Sequence, residues 1–195
     1  MSQAAELERL IDFEASFLAS ERADHLLSEL LNSPHWDQPE LQLYGRRHPI
    51  PRLQQWLGDA PHRYTYSGQV FEAQLWPTSI ATLAQELSDA SGVKLNSVLI
   101  NCYRSGQDTM GWHADDEPEL GPAPVIATIS LGASRDMAFR AVGSSRQAAK
   151  IELTHGSLLL MKAGLQARFQ HAIPKRAGVN EPRVSLTFRQ ILTTE

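Results

Sequence analysis

The chain has 195 residues, 42% hydrophobic and 21% charged, which suits one domain with a substantial core and excludes low-complexity or disordered classes. A net charge of −4 argues against coating nucleic acid by bulk charge, while a local basic face stays open. Cys102 is the only cysteine, so no intrachain disulfide can form, and no apolar run approaches the ~20 residues that span a bilayer. The N-terminus MSQAAELERL lacks the basic-then-apolar layout of a signal peptide, so the expectation is a cytoplasmic monomer without membrane contact.

In chain order, Ser20 followed by ERADHLLSELLN reads as an N-capped amphipathic helix, with Ala23, Leu26, Leu27, Leu30 and Leu31 along one side. From Trp36 to Trp76 the chain is polar and aromatic, broken by Pro39, Pro49, Pro51, Gly58 and Pro61. That composition predicts loops and short strands and suits a recognition surface. It carries two basic clusters, Arg46, Arg47, His48 and Arg52, then His62 with Arg63; a third is Lys175 with Arg176. Each is either a solvated face or a nucleic-acid contact. Thr78 opens a second helix, whose stripe is Ile80, Leu83, Ala84 and Leu87 and which Gly92 stops.

From Leu95 the pattern changes to β runs: LNSVLINCY, APVIATISLG, DMAFRAV, AKIELTH, SLLLMK, ARFQHAI and RVSLTFRQI. With no helix between them these strands are expected to be antiparallel. The predicted architecture is mainly β, an α+β double-stranded β-helix (jelly roll) with helices packed on one side. The whole chain, 1–195, forms one domain: residues 1–94 supply helices and a recognition region, and 95–195 the core.

Chemistry concentrates in the second half. His113 and Asp115 in GWHADDE can aim at one ion, because residues i and i+2 of extended backbone point the same way. His171 in FQHAIP can close the set. Two histidines and a carboxylate form the facial triad that holds Fe(II) and leaves the opposite positions open. His155, in LTHGS before a long apolar strand, reads as structural. Further on, Arg183, Ser185, Thr187 and Arg189 share one strand face, and Val184, Leu186 and Phe188 the other. The arginines are roughly 20 Å apart along the strand, so they can converge from its two ends on a short dicarboxylate. Asn101 and Tyr103 share a face of LINCY and add neutral donors.

Taken together, Asn101 and Tyr103, then His113 and Asp115, then His171, then Arg183 and Arg189, resemble the AlkB family of Fe(II)- and 2-oxoglutarate-dependent dioxygenases. The likeness runs from about Leu41 to Leu192 and is closest to the branch that repairs duplex DNA, through LQLYGRRHPIPR, GDAPHRYTYSG, HADDEPEL, SRDMAFR and HGSLLLM. It implies iron ligation by His113, Asp115 and His171, and 2-oxoglutarate binding by Asn101, Tyr103, Arg183, Thr187 and Arg189. It implies that Tyr64, Thr65, Tyr66 and Ser67 line a pocket for a flipped damaged base, with Asp116 or Glu117 near its exocyclic nitrogen. Tyr44, Phe in that branch, would be the finger that fills the emptied stack, flanked by Gly45, Arg46 and Arg52. The implied activity is oxidative demethylation of 1-methyladenine and 3-methylcytosine in DNA, single- or double-stranded, with RNA as a further candidate. 2-Oxoglutarate would be decarboxylated to succinate and formaldehyde released.

Three alternatives stay open on the residues themselves: a 2-oxoglutarate-dependent hydroxylase of a protein or small molecule, a non-catalytic nucleic-acid-binding β domain, and a zinc hydrolase. The last gives the two arginines no role.

Overall fold

Alternation along the strands, apolar on one face and polar on the other, decides which surface meets a helix and which surrounds a cavity. The computed structural model describes residues 2–43, 45–66 and 69–192, with the backbone alone at Leu41, Leu43, 63–66 and 69–71. The first half runs α1 (Gln3–Arg9), β1 (Ile11–Glu14), α2 (Ser20–Leu31), β2 (Glu40–Leu43), β3 (Arg46–Pro49) and β4 (Leu53–Gly58). It continues through β5 (Arg63–Tyr66), β6 (Gln69–Glu72), β7 (Gln74–Leu75) and α3 (Thr78–Ser91). The second half is β8 (Ser97–Tyr103), β9 (Met110–His113), β10 (Ile126–Gly132), β11 (Arg135–Ala141), β12 (Gln147–Leu153), β13 (Ser157–Met161), β14 (Phe169–Ile173) and β15 (Arg183–Arg189).

These strands form a seven-stranded sheet in the order β1-β13-β10-β15-β8-β4-β7, a four-stranded sheet, β12-β11-β14-β9, and two separate pairs, β2-β3 and β5-β6. All named pairings are antiparallel except β4 with β7. This is the jelly roll with helices on one side that the β runs predict. β15 is central, not an edge: Thr187 lies opposite Thr128 of β10 and Leu99 of β8.

The larger sheet has two different faces. Val98, Ile100 and Cys102 of β8, Ile129 and Leu131 of β10, and Val184, Leu186 and Phe188 of β15 pack against the helices. The helices answer with Ala23, Leu26 and Leu30 of α2 and Ile80, Leu83, Ala84 and Leu87 of α3. A second cluster, including Ile126, Phe139, Leu159, Met161 and Phe169, fills the space between the sheets. There the odd-numbered residues of β8 and β15 also point.

Several expectations need correction. Ser20 is the first helical residue of α2, not its cap; extended Ala19 holds the cap position without a side-chain bond, and its carbonyl accepts from Ala23 N at 3.0 Å. The α2 stripe ends at Leu30, leaving Leu31 exposed. A third helix, α1, escapes periodicity because it is only seven residues long; Ser2 Oγ caps it by accepting from Ala5 N at 3.2 Å. The stretch from Trp36 to Trp76 does hold loops and short strands, and one of them, β4, belongs to the large sheet. Gly92 ends α3 as expected, in the left-handed region at φ 71°. Among the described residues no helix is long and apolar enough to cross a membrane.

The helix-facing layer sets stability. Leu83 is fully buried and Leu75 is 69% exposed. Leu83→Ala is expected to cost about 2–5 kcal/mol in urea unfolding, against less than about 0.5 kcal/mol for Leu75→Ala.

Candidate active site

β9 and β14 pair with His113 opposite His171, which sets the two imidazoles side by side with ring centroids 4.2 Å apart. Asp115 follows just past the end of β9, where the chain leaves the sheet, and its N–H donates to Gln166 Oε1 at 3.1 Å. One ligand atom from each of the three residues lies within 4.8 Å of the others. The Nδ1 of His113 lies 2.8 Å from the Gly111 carbonyl, a contact that leaves Nε2 as its metal-facing nitrogen.

The donor set fits a divalent ion. Asp115 Oδ2 and His171 Nδ1 are buried with no hydrogen-bond partner among the described residues, a costly state for an acceptor unless a cation completes it. Burial alone would push the Asp115 carboxyl up. Arg189, 3.0 Å away, outweighs this with the two imidazoles and holds it down at about 2. Burial, reinforced by His113, pushes His171 down to about 3. At neutral pH the cluster therefore presents an ionised carboxylate and a neutral buried imidazole, the forms a metal takes.

Two cavities meet at the triad, and both are lined by Met110, His113, Asp115 and Arg189. The inner one lies between the sheets. Asn101 and Tyr103 of β8, Thr128 of β10, and Ser185, Thr187 and Arg189 of β15 supply its polar wall. Arg183 stands at the far end of the same row, 1% exposed, with its guanidinium carbon 5.3 Å from the Tyr103 ring centroid. Its Nη2 donates to Ser130 Oγ at 2.8 Å, while Nε and Nη1 are buried without a hydrogen-bond partner among the described residues. Burial lowers Arg183 to about 10, so it stays cationic at neutral pH. A buried cation with unsatisfied donors, set among hydroxyls and an amide, is a receptor for a carboxylate.

The outer cavity is walled by Arg52 just before β4, Gln54 and Trp56 of β4, Ser97 and Leu99 of β8, and Glu117 and Ile191. Glu117 Oε2 is buried there without a partner among the described residues. Asp116, its alternative in the sequence reading, is exposed and lines a separate open groove.

Arg52 departs from its expected cluster. Arg46, Arg47 and His48 are exposed on β3, whereas Arg52 is 4% exposed and its Nε donates to Asn101 Oδ1 at 2.9 Å. His62 also leaves its cluster, buried with Nε2 2.7 Å from Asp59 Oδ1. Arg176 donates to Glu152 Oε1 at 3.0 Å and to the Ser134 carbonyl. His155 Nδ1 accepts from Gly132 N at 2.8 Å, a structural bond away from the triad. Gly45 is exposed at φ 77°. Tyr64, Thr65 and Tyr66 lie on β5, where the backbone alone is described, and Tyr44 and Ser67 lie outside the described residues. The sequence reading missed Gln54, Trp56, Leu99 and Met110. The 54/56 alternation on β4 was the available signal; Gln166, in a turn before β14, offered none.

The buried histidine has a testable consequence. An unfolded histidine takes up a proton near about pH 6.5, whereas His171 resists down to about 3. Between those values the unfolded chain binds more protons, so stability is full above about 6.5 and is lost as pH falls towards 3. Urea unfolding of metal-free protein is expected to show a lower midpoint at about pH 5 than at neutrality, with His171→Gln reducing the difference.

Comparison with known proteins agrees with this geometry. Residues 13–189 match the 2OG-Fe(II) oxygenase superfamily. The chain is 39% identical over 183 residues to human DNA oxidative demethylase ALKBH2, covering 89% of this chain and 70% of that one. It is 36% identical over 184 residues to human alpha-ketoglutarate-dependent dioxygenase alkB homolog 3, covering 90% and 64%. The solved structure of OsALKBH1 superposes with a TM-score of 0.65 at 15% identity, covering 93% of this chain and 96% of the other, a likeness of fold. The chain belongs to the 2OG-Fe(II) oxygenase superfamily, within the AlkB family, and is an Fe(II)- and 2-oxoglutarate-dependent dioxygenase.

Proposed function

We propose that this dioxygenase oxidatively demethylates N-alkylated bases in DNA, with 1-methyladenine and 3-methylcytosine as its substrates and RNA as a second polymer. The observation that carries the reading is the outer cavity, which opens on the triad and combines an aromatic wall, Trp56, with a buried acidic oxygen, Glu117 Oε2. A flat base bearing a positive charge from alkylation is matched by both features. Relatives named as DNA oxidative demethylases support it.

The division of labour follows the two cavities. In the inner one, Arg183 takes the far carboxylate of 2-oxoglutarate, Asn101 and Tyr103 add donors, and Thr187 lines the wall beside them. Arg189 holds Asp115 ionised and oriented towards the metal. In the outer one, Glu117 faces the charged ring, while His113 and Trp56 offer it flat surfaces. Fe(II) held by His113, Asp115 and His171 would supply the oxygen chemistry: one atom of O₂ goes to succinate as 2-oxoglutarate loses CO₂, the other hydroxylates the N-alkyl carbon, and formaldehyde then leaves from the restored base. Exposed Arg46, Arg47 and His48 on β3 would meet phosphates, beside Tyr44 as the stack-filling finger. We further place the protein as a monomer of one domain in a reducing cytoplasm. There the Cys102 thiol, pushed up to about 11 chiefly by burial, stays inert.

The test is repair of single- and double-stranded oligonucleotides carrying 1-methyladenine, read by mass spectrometry and formaldehyde release. Demethylation is expected to require both Fe(II) and 2-oxoglutarate. Glu117→Gln is expected to lower it about tenfold, the scale of one lost bond to a charged group. 2-Oxoglutarate turnover stimulated by protein extracts, with no methylated oligonucleotide repaired, would overturn the nucleic-acid reading in favour of a protein hydroxylase.

A further inference from the structure

Arg52 immediately precedes β4, and Asn101 stands on the adjacent strand β8 of the larger sheet, where Gln54 of β4 is the register partner of Asn101. Each lines a different cavity: Arg52 the outer one, Asn101 the inner. They are joined through the wall by the bond from Arg52 Nε to Asn101 Oδ1 at 2.9 Å, between side chains of residues 4% and 3% exposed.

The chemistry of this contact has a direction. A guanidinium has only donors, whereas a carboxamide has one oxygen and one NH₂ group and can turn either towards a neighbour. With a guanidinium on one side, the amide must give its oxygen to Arg52. Its NH₂ group is then left for the inner cavity. A carboxylate accepts and cannot donate, so this is the amide orientation that a dicarboxylate co-substrate requires. The opposite orientation would set an oxygen against it.

We propose that Arg52 is a positioning residue for the co-substrate: it fixes the Asn101 carboxamide with its NH₂ group towards the 2-oxoglutarate carboxylate. This rests on reading the inner cavity as the 2-oxoglutarate site and is independent of which polymer is repaired. It gives Arg52 a role distinct from that of the exposed basic residues on β3, none of which lines either cavity.

Side-chain length provides the test. The Nε2 of glutamine stands the same number of bonds from Cα as the Nε of arginine. Arg52→Gln thus keeps a donor at that position while losing the charge, and Arg52→Glu puts an acceptor there in nearly the same shape. The measurement is the dissociation constant of 2-oxoglutarate from Mn(II)-loaded protein by calorimetry, without oxygen chemistry or nucleic acid. Arg52→Gln is expected to bind within about threefold of wild type and Arg52→Glu on the order of tenfold or more weaker, the scale of a hydrogen bond to a charged group. Mn(II) affinity should be equal in all three. Equal 2-oxoglutarate affinity in the Gln and Glu variants, or Gln as weak as Glu, would overturn the role.

If Arg52→Glu shows no cooperative thermal transition, Asn101→Asp inverts the contact from the other side. It leaves Arg52 with an acceptor and turns an oxygen to the cavity. Weakening of at least tenfold is then expected, and wild-type affinity would overturn the proposal. Wild-type protein that binds no 2-oxoglutarate would remove the cavity reading and this inference together. The expected binding order with no repair of methylated oligonucleotides would leave this inference standing and remove the substrate assignment alone.

Discussion

Two guanidinium groups buried on the central strand of the larger sheet are the constraint around which the rest is arranged. Arg183 and Arg189 are 1% and 8% exposed, and a cation withdrawn from water that far is tolerated only with partners. Arg189 has Asp115, which is at the same time the carboxylate of the metal cluster. Arg183 has Ser130, the face of Tyr103 and two nitrogens with no hydrogen-bond partner among the described residues. One end of the row is thus neutralised by the protein, and the other end accounts for the cavity's demand for an anion. The helices serve this arrangement by covering the apolar face of the same strand, so that β15 is buried on both sides while its faces have opposite character.

The two cavities share Met110, His113, Asp115 and Arg189 but differ in chemistry. The inner wall is a set of donors, suited to a molecule that only accepts. The outer wall joins an aromatic ring to a buried carboxylate oxygen, suited to a flat cation. Placing both against one set of metal ligands would let a small acid and a large base approach a bound ion from different sides. The β4 strand and its entry are the partition: Arg52, just before the strand, lines the outer space while holding a residue of the inner one, and Gln54 and Trp56 continue the outer wall.

The β core was legible because seven of the eight strands from Leu95 onward are runs rich in apolar residues with turn residues between and no α-helix intervening; β9, only Met110–His113, is too short and too polar to form such a run. The triad was legible because His113 and Asp115 are two apart in sequence; that His171 faces them depends on the β9–β14 register, which spacing suggests and pairing fixes. β4 was poorly legible. Its Leu-Gln-Gln-Trp-Leu-Gly carries polar residues in a proline-rich neighbourhood, and membership of the sheet comes from pairing with the distant β8, Leu53 opposite Cys102 and Gly58 opposite Ser97. Arg52 looked like part of a solvated cluster because sequence reports charge and not the carboxamide waiting across the strand. Ser20 misled for a local reason: the chain enters the helix one residue earlier than its best capping side chain.

The most direct test of the buried-charge account is a comparison of two 2-oxo acids on Mn(II)-loaded protein by calorimetry, 2-oxoglutarate and 2-oxobutanoate, which lacks the distal carboxylate. Wild type is expected to prefer 2-oxoglutarate by on the order of a hundredfold, and Arg183→Met to lose most of that preference while still binding the metal, since a charge-assisted bidentate pair would be gone. A folded Arg183→Met variant that keeps the full preference would contradict the account, because the distal carboxylate would then be held elsewhere.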